Sequence, residues 1–196
     1  MENRTVNTST EYWWPTPIYH AFIDKTVIDK IQQDFDNVFS DIKFQKKDEW
    51  SIDTHFISDP TFSKNLLDEY KLIAFQEELK YHVFQYVDKK YSSYKIDSAW
   101  MTLTCPGQSA HTHDHGAADL SGVYYYKTNG DDGDLYFDSP VAQLKSSFVF
   151  NKSSRVFYKP EVGKLILFPG WLSHGVFQNT SNENRISISF NIYFIR

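Results

Sequence analysis

DLSGVYYYKTNGDDGDLYFDS, residues 119–139, places two short runs rich in Val, Leu, Tyr and Phe on either side of a polar, glycine-bearing break. β-Branched and aromatic side chains suit pleated, half-buried strands. The break, TNGDDGD at 128–134, predicts a hairpin turn. The same texture extends both ways, through KIDSAWMTLT, SSFVF, RVFYK, GKLILFP, HGVFQN and RISISFNIYFI. Eight short strands in about a hundred residues, with Gly, Asn and Asp between them, predict a β-sandwich or a double-stranded β-helix, the jelly roll.

Upstream of residue 94 the pattern is different. Residues 1–12 are polar, and WWPTPIYHAFI (13–23), punctuated by two prolines, reads as extended. Val27, Ile28, Ile31, Phe35, Val38, Phe39 and Ile42 follow the spacing of an amphipathic helix over 27–42. Thr26 with Asp29 resembles a capping box at its start. A second helix is expected within 63–89, with Leu72, Phe75, Leu79, Val83 and Tyr86 as its stripe. The expected fold is mainly β with N-terminal helices. It forms one domain over 1–196, in which a helical and extended part (1–93) packs on a jelly-roll core (94–196).

Composition narrows the function. Hydrophobic residues make 41% of the 196 and charged residues 23%, as in an ordinary globular protein. A net charge of −5, with no long basic run, argues against a nucleic-acid partner, because counterion displacement needs basic surface. Cys105 is the only cysteine, so no intrachain disulfide forms and a cytoplasmic location is expected. The N-terminal MENRTVNTSTEYWW lacks a signal-peptide core, and no run approaches the roughly 20 apolar residues of a membrane span.

The chemistry concentrates in QSAHTHDHGAADLSG, residues 108–122, where His111, His113 and His115 fall within five residues. An extended chain sends such alternate residues to one face. Neutral imidazole is the commonest side-chain ligand for first-row metals. The plain alternative is a solvated polar loop. His174 follows an apolar strand and a Pro-Gly turn, where ligands at a barrel mouth lie; a core histidine bonded to a carbonyl is the competing reading. In RISISFN, Arg185, Ser187 and Ser189 share the face opposite Ile186, Ile188 and Phe190. An inward arginine is costly unless it meets an anion, and a guanidinium beside a hydroxyl suits a carboxylate. Pairing with Glu183 at the strand entrance is the simpler alternative.

The ordered set resembles the iron(II)/2-oxoglutarate-dependent oxygenases of the prolyl-hydroxylase-like superfamily, in which a His-x-Asp/Glu pair, a distal His and an Arg-x-Ser follow in turn. Arg185 lies 11 residues after His174, as that pattern requires. The sequence is most similar to a bacterial and phage family of such oxygenases. PTPIY (15–19), Trp100, Gly107, HDH (113–115), LSGVYYY (120–126), GDLYF (133–137), FPGWLSH (168–174) and RISISFN (185–191) carry the resemblance. The family's first ligand stands eight residues before the serine of LSG, which selects His113 and then His115; His111 becomes an accessory residue. The second position, usually acidic, is histidine here, so a His111/His113 pair or Asp114 remains an alternative.

The resemblance implies iron(II) on His113, His115 and His174, with 2-oxoglutarate as cosubstrate and ascorbate as a supporting reductant. It assigns the far carboxylate of 2-oxoglutarate to Arg185 with Ser187, a further contact to Tyr125, and a wall of the cofactor pocket to Leu135. The implied activity is hydroxylation of a small molecule or a protein side chain, with release of succinate and carbon dioxide. Two other readings stay open: a cupin-like metal enzyme without 2-oxoglutarate, and a non-enzymatic jelly roll whose histidines are surface residues or hold a structural zinc through His111, His113, His115 and His174. Exposed edge strands of a jelly roll allow a homodimer.

Overall fold

The computed structural model describes residues 16–87, 93–141 and 154–195. Trp13 and Trp14 at the N-terminus and the expected strand SSFVF (146–150) lie outside these residues.

The N-terminal part begins with strand β1 (Tyr19–Phe22) and helix α1 (Lys25–Val38), which runs into a 3-10 turn, Phe39–Asp41. The expected capping box is replaced by a different cap. Asp24 is the N-cap, and its carboxylate accepts from the backbone N–H of Thr26. A short aspartate side chain just outside the first turn satisfies an orphan donor there. After β2 (Phe56–Ile57) comes a one-turn helix, α2 (Leu66–Glu69), and then the expected second helix, α3 (Ile73–Tyr86). The break between them falls at Lys71, whose φ is +53°.

The β part contains β3 (Tyr94–Thr104), β4 (Ala110–His113), β5 (Leu120–Lys127), β6 (Leu135–Asp138), β7 (Arg155–Tyr158), β8 (Lys164–Pro169), β9 (His174–Val176) and β10 (Arg185–Phe194). Two antiparallel sheets form, with orders β1-β8-β5-β10-β3-β2 and β4-β9-β6-β7. This is the jelly roll the sequence predicts, with one correction. TNGDDGD does not close a hairpin: β5 lies in the six-stranded sheet and β6 in the four-stranded one, so 128–134 crosses between sheets. Turn composition marks where a strand ends, but not which sheet receives the next one.

Alternation along the large sheet separates core from site. Ile186, Ile188, Phe190 and Ile192 of β10, with Tyr124 of β5 and Leu165 and Leu167 of β8, pack against Ile31 and Phe35 of α1 and Phe75, Leu79 and Val83 of α3. The opposite face of β10 carries Arg185, Ser187, Ser189 and Asn191 into a cavity of about 430 Å³. Among the described residues, no helix is long and apolar enough to cross a membrane.

Candidate active site

The three histidines meet through sheet pairing. β4 and β9 are antiparallel, and His113 stands directly opposite His174. Cross-strand partners of this kind bring their side chains within contact distance, and the two imidazole centroids are 4.4 Å apart. His115 follows β4 by two residues. Its backbone N–H donates to the carbonyl of Gly170 (2.8 Å), which ties the segment to the turn between β8 and β9. That turn needs glycine: a Cβ on Gly170 would lie 2.2 Å from the Ala118 carbonyl oxygen.

One ligand atom from each of His113, His115 and His174 lies within 4.8 Å of the others. His111 and Asp114 stand outside this group. His111 directs Nε2 toward the Ser51 hydroxyl (3.4 Å), and the Asp114 carboxylate accepts from the Gly116 N–H (2.9 Å).

The histidine tautomers are set by their neighbours. Nδ1–H of His113 donates to the His111 carbonyl (2.7 Å), and Nδ1–H of His174 to the Leu172 carbonyl (2.8 Å). Nδ1–H of His115 donates to Oδ1 of Asn191 (2.5 Å). All three Nε2 atoms are therefore left with free lone pairs, the arrangement that metal-ligating histidines adopt. Burial pushes His115 down to about 4 and His174 to about 3, with the neighbouring imidazoles adding to the effect. Both are neutral near pH 7 and able to bind a cation.

Asn191 was not singled out by sequence reading. It also accepts from the Ser121 hydroxyl (2.8 Å) and donates to the Ser98 hydroxyl (3.2 Å). Its place on the Arg185, Ser187, Ser189 face was available from alternation alone.

Arg185 is 2% exposed, and among the described residues no carboxylate forms a salt bridge with it. The expected alternative, pairing with Glu183, does not occur. Nη1 donates to the carbonyls of Asp132 (2.8 Å) and Gly133 (2.7 Å), and Nη2 to the Thr104 hydroxyl (3.0 Å). A guanidinium has five N–H donors, so among the described residues one on Nη2 and the one on Nε remain, and Nε is buried with no partner there. This is the use of TNGDDGD. The buried Asp132 carboxylate accepts from Thr128 and the Asn129 N–H, which folds the loop so that two carbonyls face Arg185. Gly133, at φ +103°, passes so close to Phe177 that a Cβ would lie 2.3 Å from its carbonyl oxygen.

Ser187 pairs with Tyr125 across β10 and β5. Both line the cavity, as do Leu135, Phe168 and Val176. Burial, the largest effect on Tyr125, raises its phenol well above the usual range, so it stays a neutral hydrogen-bond donor. The expected site residues thus come together: three imidazoles on one side, and a buried cation with spare donors and two hydroxyls on the other. A divalent metal and a dicarboxylate fit this donor set.

Comparison with known proteins agrees with the geometry. No curated protein sequence matches this one. Among solved structures, a Pseudomonas putida prolyl-4-hydroxylase is 14% identical, with a TM-score of 0.59 over 92% of this chain and 94% of that one. The non-heme alpha-ketoglutarate-dependent epimerase SnoN of nogalamycin biosynthesis is 10% identical, with a TM-score of 0.63 over 91% and 78%. HygX of Streptomyces hygroscopicus, solved with nickel, 2-oxoglutarate and hygromycin B, is 10% identical, with a TM-score of 0.62 over 90% and 82%. At these identities the likeness is one of fold. The segment that carries all three histidines, Tyr125, Leu135, Arg185, Ser187 and Asn191, residues 98–191, matches the family described as "Putative 2OG-Fe(II) oxygenase".

Proposed function

We propose that the protein is an iron(II)- and 2-oxoglutarate-dependent oxygenase that hydroxylates a small molecule or a protein side chain. The observation that carries this reading is one cavity holding both three Nε2 lone pairs and a buried arginine that, among the described residues, has no salt-bridged carboxylate and keeps unused donors. In this reading His113, His115 and His174 hold iron(II), which supplies oxygen activation coupled to conversion of 2-oxoglutarate to succinate and carbon dioxide.

The chain's own residues do the rest. Arg185 offers its Nε–H and remaining Nη2–H to the distal carboxylate, and Ser187 and Tyr125 supply hydroxyl donors beside it. Hydrogen bonds from Nδ1 of the histidines to Asn191 and to the His111 and Leu172 carbonyls fix the ring orientations before metal arrives. Leu135, Phe168 and Val176 keep water from the reacting side. Ascorbate would keep the iron reduced. The 196 residues act as one domain, and a single cysteine fits a reducing cytoplasm.

A second reading has one observation in its favour: the cluster contains no carboxylate, as in a cupin-like metal enzyme that does not use 2-oxoglutarate. The test is succinate formation from 2-oxoglutarate with iron(II), ascorbate and oxygen, followed by NMR. Succinate that forms with the parent and is lost in His113→Ala and His174→Ala supports the oxygenase. Iron binding without any binding of 2-oxoglutarate favours the cupin-like enzyme.

A further inference from the structure

The cavity reaches beyond the segment that matches the oxygenase family. Lys47, Trp50, His55 and Phe62, all from the N-terminal part, form its outer wall. Their rings make a continuous series. Trp50 lies against His55 (centroids 4.9 Å apart) and Phe62 (6.2 Å). Phe62 meets Trp100 edge-on (4.9 Å, 78°), and Trp100 stacks on His115 (6.0 Å, 26°).

Phe62 is held there by a built turn. Its φ is +52°, a conformation that a phenylalanine rarely adopts. The Asp59 carboxylate, 6% exposed, accepts from the backbone N–H groups of Thr61, Ser63 and Lys64. Strain that its surroundings enforce in this way is characteristic of ligand clamps.

We propose that Trp50, Phe62 and Trp100 are the substrate wall, and that they take a flat ring bearing an acidic group, with the ring against the wall and the acid toward Lys47. This rests on the oxygenase reading, which assigns the inner half of the cavity to metal and keto acid. Four observations select the class. A cavity of about 430 Å³ that also holds the keto acid has space for one ring, not for a folded polymer. Among the described residues, the cavity's cationic side chains are Lys47 and Arg185, and its one carboxylate, Asp114, is exposed and bonded to Gly116, so a cationic substrate is disfavoured. Lys47 sits 5.8 Å from the Phe62 ring, with no acidic partner among the described residues. His55 donates Nδ1–H to the Ser109 carbonyl (3.1 Å), which leaves Nε2 to accept from a ring N–H.

The test uses the full chain loaded with manganese(II) and 2-oxoglutarate, with indole-3-acetate, indole, tryptamine and cyclohexylacetate as probes. Paramagnetic relaxation of each probe's protons reports binding near the metal. Indole-3-acetate should bind saturably and best. Phe62→Leu and Trp50→Ala should each weaken it about tenfold, and Lys47→Ala should bring it to the level of unsubstituted indole. The proposal is overturned if tryptamine or cyclohexylacetate binds as well, if Phe62→Leu and Trp50→Ala are neutral, or if no probe binds while 2-oxoglutarate does. Relaxation of the 2-oxoglutarate protons is read in the same sample. Its absence marks failure of the oxygenase reading rather than of the wall.

Discussion

Replacing Arg185 with methionine separates the cost of a buried charge from its use. The guanidinium is almost wholly buried, makes three hydrogen bonds to protein, and has no acidic partner among the described residues. Each bond involving a charged donor stabilises by about 1.5–3 kcal/mol. Against them stands the desolvation of an ion with no salt-bridged carboxylate, several kcal/mol, which the nearby Asp132 charge offsets only in part. Methionine keeps much of the apolar volume, so the two contributions largely offset and folding stability should change by no more than about 2 kcal/mol. For a chain of this size that is a shift of roughly 4–8 °C in Tm.

Ligand binding should respond very differently. Removing one partner of a buried, hydrogen-bonded charge pair costs about 2–5 kcal/mol, or roughly 30- to 4,000-fold in Kd. The assay is isothermal titration of 2-oxoglutarate into manganese(II)-loaded protein, which binds the keto acid without turnover. Manganese affinity, measured alongside, should be unchanged. Arg185→Lys keeps the charge but loses the fork, and should fall between the two. A folded Arg185→Met protein that binds 2-oxoglutarate within about threefold of the parent would refute the argument.

Other outcomes follow from the same geometry. Asn191→Ala removes the acceptor that orients His115 and should weaken metal binding about 10- to 100-fold, as read by competition with a chelator. Gly170→Ala forces a Cβ onto the Ala118 backbone and should lower Tm and metal affinity together, because His115 hangs from the Gly170 carbonyl. His55, His115 and His174 are held near 4, 4 and 3, chiefly by burial, below the ordinary 6.5. The unfolded chain therefore binds more protons between these values, so stability is full above about pH 6.5 and falls as pH drops. At about 1.4 kcal/mol per unit, each histidine costs roughly 2 kcal/mol by pH 5. Melts of the metal-free protein at pH 7.5, 6 and 5 should show a steep fall in Tm; a flat profile would contradict the burial of these rings.

What the sequence disclosed was governed by local pattern. Alternation in RISISFN placed Arg185 and Ser187 on one face and the isoleucines on the other, and the structure has them so. The histidines were conspicuous by composition, but which of them converge depended on more than spacing. A register shift between Ala110 and His113, and the His113–His174 pairing, set the geometry, and neither is written in HTHDH itself. Asn191 gains its role from a strand 70 residues away, through Ser121 and His115. TNGDDGD has the composition of a hairpin turn, but its glycines and aspartates serve a sheet crossing and an arginine cradle. The Asp59 turn carries no periodic signal, and the left-handed Phe62 in DPTFS gives none of the usual glycine or asparagine warning.

In the proposed site, three histidines and one arginine together hold iron and 2-oxoglutarate. Anaerobic addition of iron(II) to the metal-free protein, then of 2-oxoglutarate, followed by visible absorption, tests it directly. One iron per chain should bind, and adding the keto acid should give a weak charge-transfer band, absent in His174→Ala and much weakened in Arg185→Met. Iron binding with no band in the parent, or an undiminished band in His174→Ala, would contradict it.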